Sequence, residues 1–343
     1  MATLSDSRTG ARSASLPGMV EAARGRRRFG AVLRQFKRDP TSAGPDALVL
    51  YYAYGANGHA VLEGRVIDHQ VSRPLGTSDS RFVNLSRTLR LVFNEERAHF
   101  PVNVALYDRR WEVRTDVEGY FHLEMQALDG VAGGWHPIEV SAGRTQARIP
   151  LLLPPPENRH GVISDIDDTI MVTDVNRWST MLANTFLKNP LQRQIVRGMP
   201  ELFRILAARN SLPSAAPVFY VSASPRQLHM PLQAVLDHHG FPPGVLITKR
   251  VTNDATREPL RDQMTYKLKR IEEILARVAH VTFTLIGDDG EHDPEIFREV
   301  RGRHPHRIDH VWIRRVHPDS RRVQFEDQVD VATLLSEDRA INF

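Results

Sequence analysis

The sequence predicts an α/β fold built on a Rossmann-like parallel sheet, preceded by an all-β sandwich domain and a basic N-terminal segment. Strand-like and helix-like patterns alternate along the second half of the chain, which calls for parallel strands joined by crossovers. The first half holds many short, partly alternating runs separated by turn residues, the pattern of a sandwich. Three apolar runs of the second half also end at chemistry-bearing residues: Asp165-Ile166-Asp167-Asp168-Thr169, Val221-Ser222-Ala223-Ser224 and Leu285-Ile286-Gly287-Asp288-Asp289. In a parallel sheet such ends share one edge, where open α/β sheets place their ligands.

With 343 residues and a hydrophobic fraction of 41% the chain has material for two cores. It has 0 cysteines, which excludes disulfides and thiolate metal sites and suits a reducing compartment. No run approaches the roughly 20 apolar residues of a membrane span, and the first residues lack the apolar core of a secretory signal. A soluble, cytoplasmic protein is expected. The net charge of +4 is a mild basic excess that favours anionic partners without choosing among them.

Residues 1–45 divide into a Ser/Arg-rich stretch and, from Met19 to Lys37, a basic amphipathic helix. Arg24, Arg26, Arg27, Arg28, Arg34, Lys37 and Arg38 interleave there with Val20, Phe29, Val32, Leu33 and Phe36. Such a stripe packs on the β domain with a charged outer face, contacts nucleic acid or lies on an anionic membrane surface. Peripheral membrane contact through residues 19–37 is the partner expectation, with no specific nucleic acid.

The sandwich is expected over residues 46–153. Its strands are Leu48–Tyr54, Ala60–Ile67, Leu89–Phe93, Val102–Tyr107, Trp111–Arg114, Tyr120–Met125, Ile138–Val140 and Ala147–Leu152. Turn signals such as Ala56-Asn57-Gly58 and Glu118-Gly119 separate them. The segment Thr115–Phe121 resembles the hairpin of transthyretin-like and other Ig-like modules. Pro154-Pro155-Pro156 then forms a stiff spacer.

The α/β domain is expected over residues 158–343. Strands are predicted at Gly161–Ile166, Val218–Ser222, Val245–Thr248, Val281–Ile286 and Ile308–Ile313, and helices at Thr185–Arg209, Gln227–His238, Met264–Val278 and Pro294–Arg303. The first of these helices breaks at Gly198-Met199-Pro200, and a compact insert between Met171 and Pro200 is expected to shield the pocket from one side.

Two aspartates one residue apart at a strand end can divide the labour of phosphate hydrolysis. Asp165 attacks phosphorus, and Asp167 protonates the leaving oxygen and then activates water. A carboxylate attacking an anionic phosphate needs its charge neutralised, which a hard divalent cation on oxygen ligands supplies; Mg²⁺ is the usual one. Asp288 is the candidate ligand, with Asp289 and Asp293 close by. Lys267 and Lys269 lie two apart on a predicted helix and so face different ways; Lys267, bordering the stripe of Leu268, Ile271 and Leu275, is the candidate cation. His238-His239 and His304-Pro305-His306 lack partners at metal-ligand spacing.

These motifs, in this order, resemble those of the haloacid dehalogenase superfamily phosphatases. Asp165-Ile166-Asp167-Asp168-Thr169 resembles the first motif, Ser222 the second, Lys267 the third, and Gly287-Asp288-Asp289-Gly290-Glu291-His292-Asp293-Pro294 the fourth. Within the superfamily the contexts Ser164–Ile170, Val221–Pro225, Phe241–Gly244 and Gly287–Glu291 are similar to the catalytic domain of the phosphatidate phosphatases associated with yeast actin patches. The resemblance covers roughly 161–317 and implies Mg²⁺-dependent release of phosphate from phosphatidate, giving diacylglycerol. It implies catalytic roles for Asp165, Asp167, Thr169, Ser222 and Lys267: nucleophile, acid/base, loop support, phosphoryl-oxygen donor and cation. It implies a metal set of Asp165, Asp167 and Asp288. Two positions depart from the family pattern: Arg226 stands where an aromatic is usual, and Asp289 where a serine is. An Arg226 in contact with substrate anion would favour a soluble phosphomonoester, and a vestigial site would leave a lipid-binding scaffold.

Overall fold

The computed structural model describes residues 47–67, 97–172, 193–250, 263–316, 322 and 324–336. The basic helix at 19–37, the strand at Leu89–Phe93 and most of the insert between Met171 and Pro200 lie outside these residues. Two sheets make up the described chain, one before Leu153 and one after His160.

The first sheet contains β1 (Ala47–Ala56), β2 (His59–Ile67), β3 (Pro101–Leu106), β4 (Arg109–Arg114), β5 (Tyr120–Met125), β6 (Gly134–Ala142) and β7 (Thr145–Leu153). Hairpins set its local register. Asn57 and Gly58 close the β1–β2 hairpin, both with positive φ (53° and 78°), as a two-residue turn that follows the strand twist requires.

The sandwich expectation is corrected to one nearly closed sheet in the order β4-β3-β6-β7-β1-β2-β5, with the end strands β4 and β5 approaching each other. The cause is long-range. β1 pairs antiparallel with β2 on one side and in parallel with β7 on the other, at Tyr54↔Leu152. The hairpin groups that would have formed two layers are thereby merged.

Strand β1 carries a register shift between Leu50 and Tyr52. A bulge inserts one residue and breaks the alternation of faces, so Tyr51 and Tyr52 both turn outward while Leu48 and Ala53 point into the barrel-like core with Leu62, Val104 and Ile138. Both faces of β1 and β2 are buried; β1 reads as a nearly continuous apolar run for that reason, and β2 does so except at Glu63 and Arg65, which are buried charges.

The second sheet is parallel throughout. Its strands are β8 (His160–Ser164), β9 (Val218–Pro225), β10 (Val245–Lys249), β11 (Thr282–Asp288), β12 (Ile308–Arg314) and β13 (Val329–Asp330), in the order β10-β9-β8-β11-β12-β13. Helices α1 (Met199–Ala208), α2 (His229–His238), α3 (Gln263–Arg277), α4 (Asp293–Arg303) and α5 (Val331–Ser336) alternate with the strands. From β8 the chain builds outward on one side through β9 and β10, then returns to the other side with β11. The C-terminal ends of β8 and β11 therefore flank the switch point, the expected place for a ligand crevice.

One face of this sheet packs on α1, α2 and α5 through Leu202, Phe203, Leu232 and Leu334. The other face packs on α3 and α4, and also on the first sheet. Tyr51, Tyr52, Tyr54 and Tyr120 join Phe219, Ile247, Ile271 and Phe283 in one hydrophobic cluster. The two sheets thus share a core and belong to one compact unit. Among the described residues no helix is long and apolar enough to cross a membrane.

Candidate active site

Strand β8 delivers Asp165 to the switch point. Its backbone amide donates to the Ile286 carbonyl at 2.9 Å, extending the β8–β11 ladder by one residue beyond Ser164. The chain then turns. The amide of Ile170 donates to the Ile166 carbonyl at 3.0 Å. Asp168 adopts φ 55°, a left-handed conformation that aspartate tolerates better than most side chains, and Arg314 donates to its carbonyl. This turn points Asp165 and Asp167 in different directions.

Asp165 faces β11 and α3. The Lys267 ammonium lies 2.9 Å from Asp165 Oδ1, 2.6 Å from Asp293 Oδ1 and 3.3 Å from Glu291 Oε2. The Thr169 hydroxyl lies within reach of Asp165 Oδ2 (3.2 Å) and Asp288 Oδ2 (3.3 Å). Oxygens of Asp165, Asp288 and Asp293 all come within 4.8 Å of one another, and all three residues are buried. Gly287 makes this approach possible: a Cβ there would lie 2.5 Å from Asp293 Oδ2 and 2.7 Å from Phe297.

The electrostatics follow from the head count. One ammonium faces the buried carboxyls of Asp165, Asp288 and Asp293 and the half-buried Glu291. Burial pushes the Asp165 carboxyl well above its usual range; Lys267 opposes this, and Asp293 and Asp288 add to it. Burial and then Asp293 push Asp288 up to about 8, and Glu291 is raised for the same first reason. Burial works against the charge on Lys267, but Asp165, Asp293 and Glu291 prevail and hold it protonated, well above its ordinary range. The pocket carries a surplus of negative charge in need of a cation or protons.

Asp167 belongs to the other side of the site. Its Oδ2 accepts from the Ser222 hydroxyl at 2.9 Å and from the Ser224 hydroxyl at 2.8 Å, and the Ser224 amide donates to Ser222 Oγ at 3.0 Å. The metal set implied by the resemblance is Asp165, Asp167 and Asp288; among the described residues the carboxylate that clusters with Asp165 and Asp288 is Asp293, while the Asp167 carboxylate accepts from two serines. Asp289 is occupied elsewhere, accepting from the Val316 amide at 2.7 Å with Arg315 at 3.7 Å. The structure brings Asp165, Thr169, Lys267 and Asp288 together, with Asp167 and Ser222 paired beside them. Lys269 is exposed.

Ser224 and Asp293 were underweighted by sequence reasoning. Each carried a signal: Ser224 follows Ser222 at the strand end, and Asp293 opens a helix that starts Asp-Pro. Both signals also describe ordinary helix caps. Arg226, weighed as a contact for a substrate anion, is instead buried against the first sheet, at 8% exposure and in contact with Glu63.

Residues 160–315 match the family model described as the catalytic domain of phosphatidate phosphatase APP1. This span opens at β8, closes just past β12 and contains every residue of the acidic cluster. The chain is similar to phosphatidate phosphatase APP1 of Saccharomyces cerevisiae, 32% identical over 157 residues that cover 45% of this chain and 25% of that protein. It is also similar to an uncharacterised Schizosaccharomyces pombe protein, 28% identical over 221 residues, 61% of this chain and 35% of that one. The matches thus span about a quarter and a third of the length of these curated relatives. Among solved structures, a chain of a Pnkp1/Rnl/Hen1 complex is similar at TM-score 0.29 and 20% identity, covering 41% of this chain and 42% of that one.

Proposed function

We propose that this site hydrolyses a phosphomonoester through a phosphoryl group carried on Asp165, and that the substrate is phosphatidate. The observation that carries the reading is the division of the carboxylates: Asp165 faces Lys267, Asp288 and Asp293 while the serines hold Asp167 apart. The strand order, with β8 central and β9 and β11 on either side, supports a haloacid dehalogenase type of fold. The match of residues 160–315 supports the substrate class.

In this reading an Asp165 carboxylate oxygen forms a bond to phosphorus as the bond from phosphorus to the ester oxygen breaks. Asp167 donates its proton to that oxygen, releasing diacylglycerol. Asp167, now a carboxylate, takes a proton from water, and the resulting hydroxide displaces Asp165 from phosphorus. Inorganic phosphate leaves, and Asp165 is restored. Lys267 keeps the Asp165 carboxylate oriented, and Thr169 steadies it from the other oxygen. Asp165, Asp288 and Asp293 offer only oxygen donors and an uncompensated negative charge, which fit Mg²⁺. Bound there, it would offset charge on the phosphoryl oxygens.

The soluble-ester reading depended on Arg226 reaching a substrate anion, and the pairing of Arg226 with Glu63 removes that support. Purified protein with Mg²⁺ is expected to release phosphate from phosphatidate in mixed micelles at least about tenfold faster, per kcat/KM, than from short-chain soluble esters. The opposite preference would overturn the substrate assignment and keep the chemistry. Absence of release from every ester would favour a scaffold. On the same reading residues 19–37 bring the chain to an anionic surface from the cytoplasmic side.

A second expectation concerns metal and pH. Asp288 rises from its ordinary 3.8 to about 8 in the metal-free fold. Between those values the folded chain binds more protons than the unfolded chain, so this group's contribution to stability falls as pH rises and is poorest above 8. The Asp288 carboxylate would give up this proton to hold a bound Mg²⁺. The thermal midpoint is expected to rise with Mg²⁺ more at pH 8.5 than at pH 6, and Asp293→Asn is expected to remove most of that gain. An equal rise at both pH values would place the ion elsewhere.

A further inference from the structure

The end of β9 is irregular in a way that serves the acid/base residue. Ser222 pairs with Thr248 of β10 and Pro225 pairs with the next residue, Lys249, so Ala223 and Ser224 form an excursion with no partner on β10. An excursion of this kind aims side chains at the expense of ladder hydrogen bonds. Here it turns the hydroxyls of Ser222 and Ser224 onto one oxygen of Asp167. What lies beyond it must hold it in place.

Arg226 does so. Its Nε donates to the Thr248 carbonyl at 3.3 Å, and its Nη2 pairs with Glu63 of β2, 163 residues earlier in the chain. Its guanidinium lies 5.0 Å from the ring centroid of Tyr51 and 5.5 Å from that of Tyr120. Glu63 is 3.0 Å from His122 Nδ1 on β5. Burial would raise the Glu63 carboxyl, but Arg226 and His122 bring it down to about 2. Both partners are charged and almost wholly buried, whereas other ion pairs between the first sheet and the second half of the chain, Arg250 with Asp116 and Glu118 and Arg277 with Glu124, are more exposed. A buried ion pair contributes little to adhesion that apolar side chains could not supply. Its particular property is direction.

We propose that Glu63 and Arg226 are positioning residues: the barrel-like sheet, through this pair, fixes the Ser222–Ser224 excursion and so orients Asp167 for proton transfer to the leaving oxygen. The inference rests on the phosphomonoester reading above. It explains why the first sheet is fused to the catalytic sheet through a shared core. It predicts a defect in phosphoryl transfer to Asp165 that is confined to leaving groups needing a proton, while hydrolysis of the phosphorylated Asp165, which also uses Asp167, slows alike for every ester.

The test compares wild type with Glu63→Gln, in the full chain, on two esters. One is an alkyl ester, phosphatidate in mixed micelles, or glycerol phosphate if the wild type refuses the lipid. The other is p-nitrophenyl phosphate, whose leaving group departs without a proton. The expected result is a fall of about tenfold or more in the rate of phosphoryl transfer to Asp165 from the alkyl ester, read by rapid acid quenching in single turnover, with KM within about twofold, and a fall below about threefold in that rate from the aryl ester. If Glu63→Gln does not fold, the Glu63→Gln/Arg226→Gln pair removes both charges together and carries the same comparison. Equal losses in that transfer rate on the two esters, a change confined to KM, or no loss at all overturns the inference alone. A wild type that releases phosphate from neither ester overturns the hydrolase reading and the inference with it.

Discussion

Asp165→Asn is expected to lower phosphate release by on the order of 10³-fold or more while the protein remains folded. The amide nearly matches the carboxylate in shape, so the β8–β11 ladder bond from the residue 165 amide to Ile286 and the contact with Thr169 can persist. What disappears is the anionic oxygen that attacks phosphorus. The loss should fall on kcat, because the charged groups that would greet the substrate are otherwise intact, and no phosphoryl group should remain on the protein after rapid acid quenching. The cluster also predicts the sign of the stability change in metal-free buffer. Four acidic side chains, Asp165, Asp288, Asp293 and Glu291, face one ammonium, so neutralising one relieves repulsion, and the melting temperature at pH 8.5 should not fall. Substantial turnover by Asp165→Asn would remove Asp165 from the reaction. An unfolded Asp165→Asn protein would show instead that the ion pair with Lys267 is needed for folding.

The parts of this arrangement that were legible in the sequence are those set by neighbours along the chain. Parallel strands announced themselves as short apolar runs between helical periods, and the runs ending at Asp165, Ser222 and Asp288 pointed to one edge because parallel strands share their polarity. Asn57-Gly58 specified a hairpin through the positive φ values it tolerates. Lys267 was separable from Lys269 because helical phase places only one of them beside Ile271 and Leu275. What was not legible depends on partners far away in the chain. The merging of two expected layers into one sheet hangs on the Tyr54↔Leu152 pairing, which alternation within either strand does not encode. Arg226 read as a candidate contact for a substrate anion because its partner Glu63 lies on a different sheet. The choice among Asp167, Asp289 and Asp293 turned on backbone geometry, since the left-handed Asp168 and the approach of Asp293 to Gly287 decide which carboxylates converge.

Lys267→Met should be among the most destabilising single changes available to the metal-free chain, with a cost of about 3–5 kcal/mol at pH 8.5, the range for stripping a buried charge of its partner. Methionine fills the same channel between α3 and β11, so packing is largely conserved and the cost is electrostatic. Asp165 and Asp293, 2.9 and 2.6 Å from the ammonium, are left buried without a counter-charge. The Asp165 carboxyl then climbs further above the ordinary range. A group whose folded pKa is raised in this way destabilises the fold at high pH and ceases to do so once it is protonated, so the penalty should shrink as pH falls from 8.5 toward 5.5. Urea midpoints at the two pH values measure this directly. Mg²⁺ should rescue part of the stability at pH 8.5 by supplying the missing charge, without restoring turnover, because Asp165 loses the group that orients it. Lys269→Met is the matched control: that side chain is exposed on the same helix, and its removal should change stability by no more than about 0.5 kcal/mol. A Lys267→Met chain as stable as Lys269→Met at pH 8.5 would mean that the buried carboxyls are already neutral without the ammonium, and the account of a charge-deficient pocket awaiting a cation would fail with it.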